Sequence, residues 1–172
     1  MAGENVLPEL LSEVSTLGHA PRVVGVYAAA DLPRGSREVG LGLWRVGDPG
    51  NVGALLRSAD AFGACIALSP GCADPLGPRA LRASAGAIFR VPLAVWDDLP
   101  RRRVALVAHG GSPLADLELA PPVAFLLGSE REGLPEDLGG EPATIPLPGG
   151  AESLNVAAAG AIALYELSRR DG

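Results

Sequence analysis

Residues 41–69 read LGLWRVGDPGNVGALLRSADAFGACIALS, and their pattern decides the fold. LGLWRV (41–46) is a short apolar run of strand length, NVGALLRSADAF (51–62) reads as a helix, and CIALS (65–69) is a second short strand. The same alternation continues along the chain. PRALRASAG (78–86) reads as a helix, followed by a short apolar piece from Phe89 to Leu93. VALVA (104–108), VAFLL (123–127) and ATIPL (143–147) read as further strands, and a helix over 153–169 ends the chain. Short buried strands alternating with helices predict an α/β fold with a mostly parallel sheet and helices on both faces.

Upstream, Leu7, Leu10, Leu11, Val14 and Leu17 fall at helical spacing, so residues 6–17 are expected to form an amphipathic helix. RVVGVY (22–27) is read as a strand and DLPRGSREVG (31–40) as a polar Pro/Gly connector. The expected organisation is an N-terminal helix-and-strand extension over 1–40 and one larger domain over 41–172.

The bulk properties suit a single core of 172 residues, with 48% hydrophobic and 20% charged residues. No apolar run approaches the roughly 20 residues of a membrane span. The start MAGENVLPELLSEV has acids and no basic segment, unlike a signal peptide, so a cytoplasmic protein with no membrane partner is expected. Cys65 and Cys72 have no His beside them, so no metal site is expected and buried thiols are the simpler reading. All 14 basic residues are Arg, and a P-loop is excluded because there is no Lys. No Gly-x-Gly-x-x-Gly follows a strand and no Gly-x-Ser-x-Gly elbow appears. A net charge of −6 and a pI near 4.9 argue against a strong non-specific nucleic-acid binder. They leave room for a local Arg patch from Arg79, Arg82, Arg90 and the run Arg101-Arg102-Arg103. That run reads equally as a solvated loop before a strand or as a phosphate contact.

Ligands of a parallel sheet gather at the carboxyl ends of its strands. Three Gly-rich polar loops qualify: GDPGN after 41–46, GSEREG after 123–127 and PGGAES after 143–147. In the first, Asn51 can cap the following helix, and Arg57 lies two turns in. Arg57 is either a structural cation paired with Asp60 or a site residue. In the second, Gly128 and Gly133 flank Ser129 and Glu130, which fits a tight turn or a backbone cradle. In the third, Glu152, Ser153 and Asn155 crowd the start of an apolar helix, with Ser153 as a natural N-cap. One residue suffices for capping, so the excess points to a second task. The Ala-rich helix beyond it permits close approach of another helix, within the core or in a second subunit. His109, just past a strand end, could line the site or be an ordinary loop residue.

Taken together, NVGALLRSADAFGA (51–64), LLGSEREGLPEDL (126–138) and IPLPGGAESLNVAAAGAIALYE (145–166) resemble the three motifs of the SpoU (TrmH-like) RNA 2′-O-methyltransferases of the SPOUT superfamily. RASAGAIFRVPL (82–93) has the same look, and the resemblance covers about residues 40–168. It implies a deep trefoil knot in the C-terminal part of the sheet, a homodimer with a site completed across the interface, and S-adenosylmethionine held in the knot loops. By the resemblance, Gly128, Ile145, Leu147, Leu154, Ala108, His109 and Gly133 would bind that cofactor. Arg57, Asn51, Glu130, Ser153 and Asn155 would carry transfer of its methyl group to a ribose 2′-hydroxyl of tRNA or rRNA. Arg57 matches the family's catalytic Arg. Guanidinium stays protonated at neutral pH, so charge stabilisation is its plainer role. Many relatives carry an N-terminal RNA-binding domain, for which the roughly 40 residues before the first motif are too few; PRVVGVYAAADLP (21–33) reads as either a remnant or the end of such a domain. Arg131 stands where a small or acidic residue is common, either reaching RNA or neutral. A second class stays open: a SPOUT-fold dimer that binds cofactor or RNA with weak or no catalysis.

Overall fold

The computed structural model describes Glu13 and residues 25–170. The chain divides into two units, residues 1–32 and 33–172. In the first, the described residues hold a 3-10 turn, Ala29–Asp31, and one helical residue, Glu13. The helix expected over 6–17 lies outside the described residues except for Glu13. Of the expected strand 22–27, the described residues Gly25 to Tyr27 are in neither strand nor helix.

The second unit is built on strands β1 (Val39–Trp44), β2 (Cys65–Leu68), β3 (Arg103–Leu106), β4 (Ser112–Pro113), β5 (Val123–Gly128) and β6 (Glu141–Thr144). Its helices are α1 (Pro49–Ala61), α2 (Pro78–Ser84) and α3 (Val156–Ser168). The six strands form one sheet in the order β2-β1-β5-β3-β6-β4, and every named pairing is parallel. The expected α/β architecture therefore holds, and the sheet is fully parallel among the described strands. The second unit also takes in residues 33–38, read from sequence as connector. They are tied to it by Leu93 N–H donating to Pro33 at 3.0 Å and Gly35 N–H to Leu93 at 3.3 Å.

Parallel register separates the two faces. Leu41 pairs with Phe125 and Leu43 with Leu127, so these four share one face and all are buried. There α3 lays Gly160 against Leu127 and against Leu55 of α1. Val52, Leu55, Leu56 and Ala59 give α1 a buried stripe at helical spacing. The other face carries Cys65, Ala67, Ala124 and Leu126 packed with Leu99, Trp96, Leu134 and Leu138. Among the described residues these covering groups come from loops and single 3-10 turns, Trp96–Asp98 and Glu136–Leu138, which corrects the expectation of α-helices on both faces. Gly42 admits that layer: a Cβ there would sit 3.1 Å from both Leu99 and Trp96.

Boundaries differ from the sequence expectation where local chemistry intervenes. α2 stops at Ser84 because Ala85 and Gly86 turn left-handed, with φ of 47° and 82°. The strand expected over 143–147 ends at Thr144, before Pro146, which has no N–H for the ladder. Residues 145–155 are thereby released to the carboxyl edge. α3 begins at Val156, not 153. β6 lies between β3 and β4, which are consecutive in the chain. The link joining those two passes so close over β6 that a Cβ on Gly111 would lie 2.7 Å from the Ala143 nitrogen.

Candidate active site

With all strands parallel, the three Gly-rich loops leave β1, β5 and β6 at the same edge of the sheet. Two of them, with the segment after β3, enclose a cavity of about 520 Å³. That lies within the 300–1,000 Å³ usual for small-molecule sites. Gly128, Gly133, Ile145, Leu147, Leu154, Ala108 and His109 all line it. So do Glu130, Arg131, Glu132, Glu152 and Ser153. The apolar walls include Leu106, Leu127 and Val156.

Gly128 is needed for a reason that spacing alone did not reveal. The chain folds back after β5, with a bridge between Ser129 and Gly133 and Gly133 N–H donating to the Ser129 carbonyl at 2.9 Å. A Cβ on Gly128 would come within 2.6 Å of the Leu134 nitrogen. Any larger residue would push this loop off the cavity.

Beside the cavity three side chains form a directed hydrogen-bond series. Asn155 is the N-cap of α3, and its Oδ1 accepts from Ala157 N–H at 2.9 Å and Ala158 N–H at 3.2 Å. Its amide orientation is therefore forced, and Nδ2 must point outward as a donor. It donates to Asn51 Oδ1 at 3.0 Å. Asn51 is oriented in turn and donates Nδ2 to the Glu130 carboxylate. The helix N-terminus thus fixes, through two amides, where a carboxylate at the cavity rim sits.

Two expected caps are corrected. Ser153 does not cap α3; it lies two residues before the cap, exposed at the cavity, with no hydrogen-bond partner among the described residues. Asn51 does not cap α1. Asp48 does, accepting from Asn51 N–H at 2.8 Å, with Pro49 at the first helical position. Asp-Pro before an apolar helix is itself a start signal, and it could have been read from the sequence.

Arg57 is exposed, does not line the cavity and has no ion-pair or hydrogen-bond partner among the described residues. Its suggested partner Asp60 is held instead by Arg90, whose Nη2 lies 2.6 Å and Nε 3.0 Å from Oδ2. The Arg90 hydrogen bonds pull the Asp60 carboxyl below its ordinary value. Of the run 101–103, Arg102 approaches Glu141 at 3.8 Å and Arg103 donates to the Trp96 carbonyl at 3.4 Å. A further tie at the rim went unread. Arg45, in a left-handed conformation with φ of 53°, pairs with Glu132 at 2.7 Å and so joins the end of β1 to the loop after β5.

Cys65 is buried and its thiol is pushed up by that burial, as an inert core residue should be; Cys72 is half-buried and donates to the Leu43 carbonyl. No cluster of metal-binding side chains occurs among the described residues, and none of their helices is long and apolar enough to cross a membrane.

Comparison with known proteins adds an independent line. The SpoU rRNA Methylase family matches residues 38–165. A 23S rRNA (uridine(2479)-2′-O)-methyltransferase of Streptomyces viridochromogenes is 36% identical, with 95% of this chain and 66% of that protein covered. Among solved structures, an AdoMet-bound rRNA methyltransferase from Sinorhizobium meliloti is 36% identical at a TM-score of 0.70, with 81% and 59% covered. The SpoU methyltransferase AviRb from Streptomyces viridochromogenes, in complex with the cofactor AdoMet, is 30% identical at a TM-score of 0.72, with 84% and 64% covered. The chain thus spans less than two thirds of the length of these relatives.

Proposed function

The chain belongs to the SpoU rRNA Methylase family, and on that premise we propose that it is an S-adenosylmethionine-dependent RNA methyltransferase acting on a ribose 2′-hydroxyl of rRNA or tRNA. The observation that carries the proposal is the cavity at the carboxyl edge, lined by all seven residues that the family resemblance implies for the cofactor and flanked by the Asn155–Asn51–Glu130 series.

The residues fit the cofactor chemically. Leu106, Leu127, Ile145, Leu147 and Leu154 give apolar walls for a base and for the aliphatic arms of a sulfonium, and strand-end backbone at Ala108 and Gly128 gives polar groups to orient them. When bound, the cofactor supplies an electrophilic methyl group on a sulfonium sulfur. The protein's part is positioning. Glu130, fixed through Asn51, orients donors of the incoming ribose at the cavity rim, and Ser153 stands exposed for the same task. Bringing two substrates into line can supply up to about 7–11 kcal/mol of barrier reduction. Arg57 stabilises the developing alkoxide and the adjacent phosphate, and the 2′-hydroxyl proton passes to phosphate or water.

The same proposal includes a deep trefoil knot, supported by β6 lying between β3 and β4 beneath the link that joins them. It also includes a homodimer. Ile162 and Tyr165 stand exposed three residues apart on α3, an apolar stripe suited to a second copy. Arg57, without a partner among the described residues and outside the cavity of its own chain, would complete the partner's site. Residues 33–172, which include the whole of β1, carry the methyltransferase unit.

The test is transfer of labelled methyl from S-adenosylmethionine to 23S rRNA transcripts and to a tRNA pool, with nuclease digestion to identify a 2′-O-methyl nucleoside. Arg57→Ala should abolish transfer while keeping cofactor affinity. Sedimentation of the same samples should show a dimer. Inert wild type on both RNAs, with cofactor bound, would favour a binding protein instead.

A further inference from the structure

The loop Glu130–Arg131–Glu132 at the cavity rim treats its three charges unequally. Glu130 accepts from Asn51, and Glu132 is paired with Arg45 at 2.7 Å. Arg131, between them, is exposed, lines the cavity and has no hydrogen-bond or ion-pair partner among the described residues. It is also the only Arg in the described lining, which otherwise carries the acids Glu130, Glu132 and Glu152. A cation with no partner among the described residues, in a cavity whose other charged lining is acidic and in a chain of net charge −6, is placed for an anion that arrives with a ligand.

We infer that Arg131 is an RNA-binding residue that holds a backbone phosphate of the RNA near the ribose being methylated. This rests on the proposed methyltransferase activity. The geometry favours phosphate as the anion. The two neighbouring acids are locked by partners on α1 and at the end of β1, so the backbone carrying Arg131 is held at both sides. The guanidinium is thereby offered at the mouth, where a strand of RNA must pass to bring its 2′-hydroxyl to the cavity. A guanidinium forks onto phosphate oxygens with charge-assisted hydrogen bonds. The other anion able to reach it is the carboxylate of the cofactor itself, and the experiment separates the two.

Filter binding and methyl transfer are measured with a 23S rRNA transcript for wild type, Arg131→Ala and Arg131→Lys, and S-adenosylhomocysteine affinity is measured by calorimetry on the same proteins. Arg131→Ala should weaken RNA binding and raise the RNA KM by about tenfold. It should flatten the dependence of log K on log salt by about 0.7–0.9. kcat at saturating RNA and S-adenosylhomocysteine affinity should stay as in wild type, because the contact is made equally before and during transfer, and Arg131→Lys should restore the salt slope but only part of the affinity, since an ammonium cannot fork. An equal fall in S-adenosylhomocysteine affinity would overturn the inference in favour of the cofactor carboxylate. Unchanged RNA affinity and salt slope in Arg131→Ala would overturn it outright. A wild type that binds RNA without methylating it would contradict the proposed activity instead, and the affinity comparison would still judge Arg131.

Discussion

Helices α1 and α3 start at the same edge of the sheet, α1 a few residues past β1 and α3 at the end of the longer segment 145–155 after β6, yet they are capped by different logic. At α1 the cap is Asp48, and the side chain of Asn51 in the first turn is free for other work. At α3 the cap is Asn155, which also holds Asn51. One helix start separates stability from site chemistry, and the other joins them in a single amide. The difference follows from what each residue can offer. A carboxylate accepts only, so Asp48 can end a helix but cannot relay a donor; an amide accepts at one end and donates at the other.

Asn155→Asp should break the comparison most severely. Asp still caps α3, and its charge suits the helix N-terminus, so thermal stability should hold. The donor to Asn51 is lost, however. If Asn51 flips to serve the new carboxylate, it turns an oxygen toward Glu130. Methyl transfer should fall by more than about a hundredfold, roughly 2.7 kcal/mol. Activity within a few-fold of wild type would show that the amide series is not part of the mechanism.

Next in size is Gly53→Ala, which tests what holds α1 in place. A Cβ there would lie 2.7 Å from the Ala80 carbonyl oxygen and 2.8 Å from the Ser84 nitrogen, both backbone atoms of α2. Urea denaturation should show a loss of about 2–3 kcal/mol. At Gly160 of α3 the nearest atoms belong to the side chains of Leu55 and Leu127, which can turn aside, so Gly160→Ala should cost less. The reverse ranking would mean that α3, not α1, is the more tightly seated helix.

Asp48→Ala should cost about 1 kcal/mol of stability and leave methyl transfer nearly intact. That sharpens the contrast with Asn155. The smallest effect concerns Asp60. Its pKa is lowered in the fold, chiefly by the Arg90 hydrogen bonds, from the ordinary 3.8. The stabilisation is therefore present above that value and is lost as pH falls through the lower folded one. Both side chains remain partly in water, at 59% and 27% exposure, so the contribution is small. Asp60→Asn should slightly lower the melting temperature at every pH above the ordinary value, and the difference from wild type should vanish as pH falls through the folded one, which flattens the acid limb.

These residues also show what could be read from sequence. The alternation from Leu41 to Leu147 carried enough information for the parallel sheet, because strands buried on both faces must be apolar throughout. β4 was invisible, since Ser112 and Pro113 show no periodicity and pair only because β6 passes beside them. The expected cofactor residues lie on one cavity because they follow the ends of parallel strands, a rule of topology rather than of residue type. Which member of Glu152, Ser153 and Asn155 becomes the cap depends on where the chain leaves its turn after Gly150, and local propensity favours Ser and Asn alike. Asp60 had an Arg three residues away and chose one thirty residues away, a preference only the three-dimensional course of the chain explains.

The most direct test of the account is calorimetric titration of wild type and Asn155→Asp with S-adenosylhomocysteine. The cavity is lined by residues other than Asn51 and Asn155. The account therefore predicts one saturable site per chain in both proteins, with affinities within about threefold of each other. No binding by the folded wild type, or its loss in the variant, would contradict the division between a cofactor cavity and the amide series beside it.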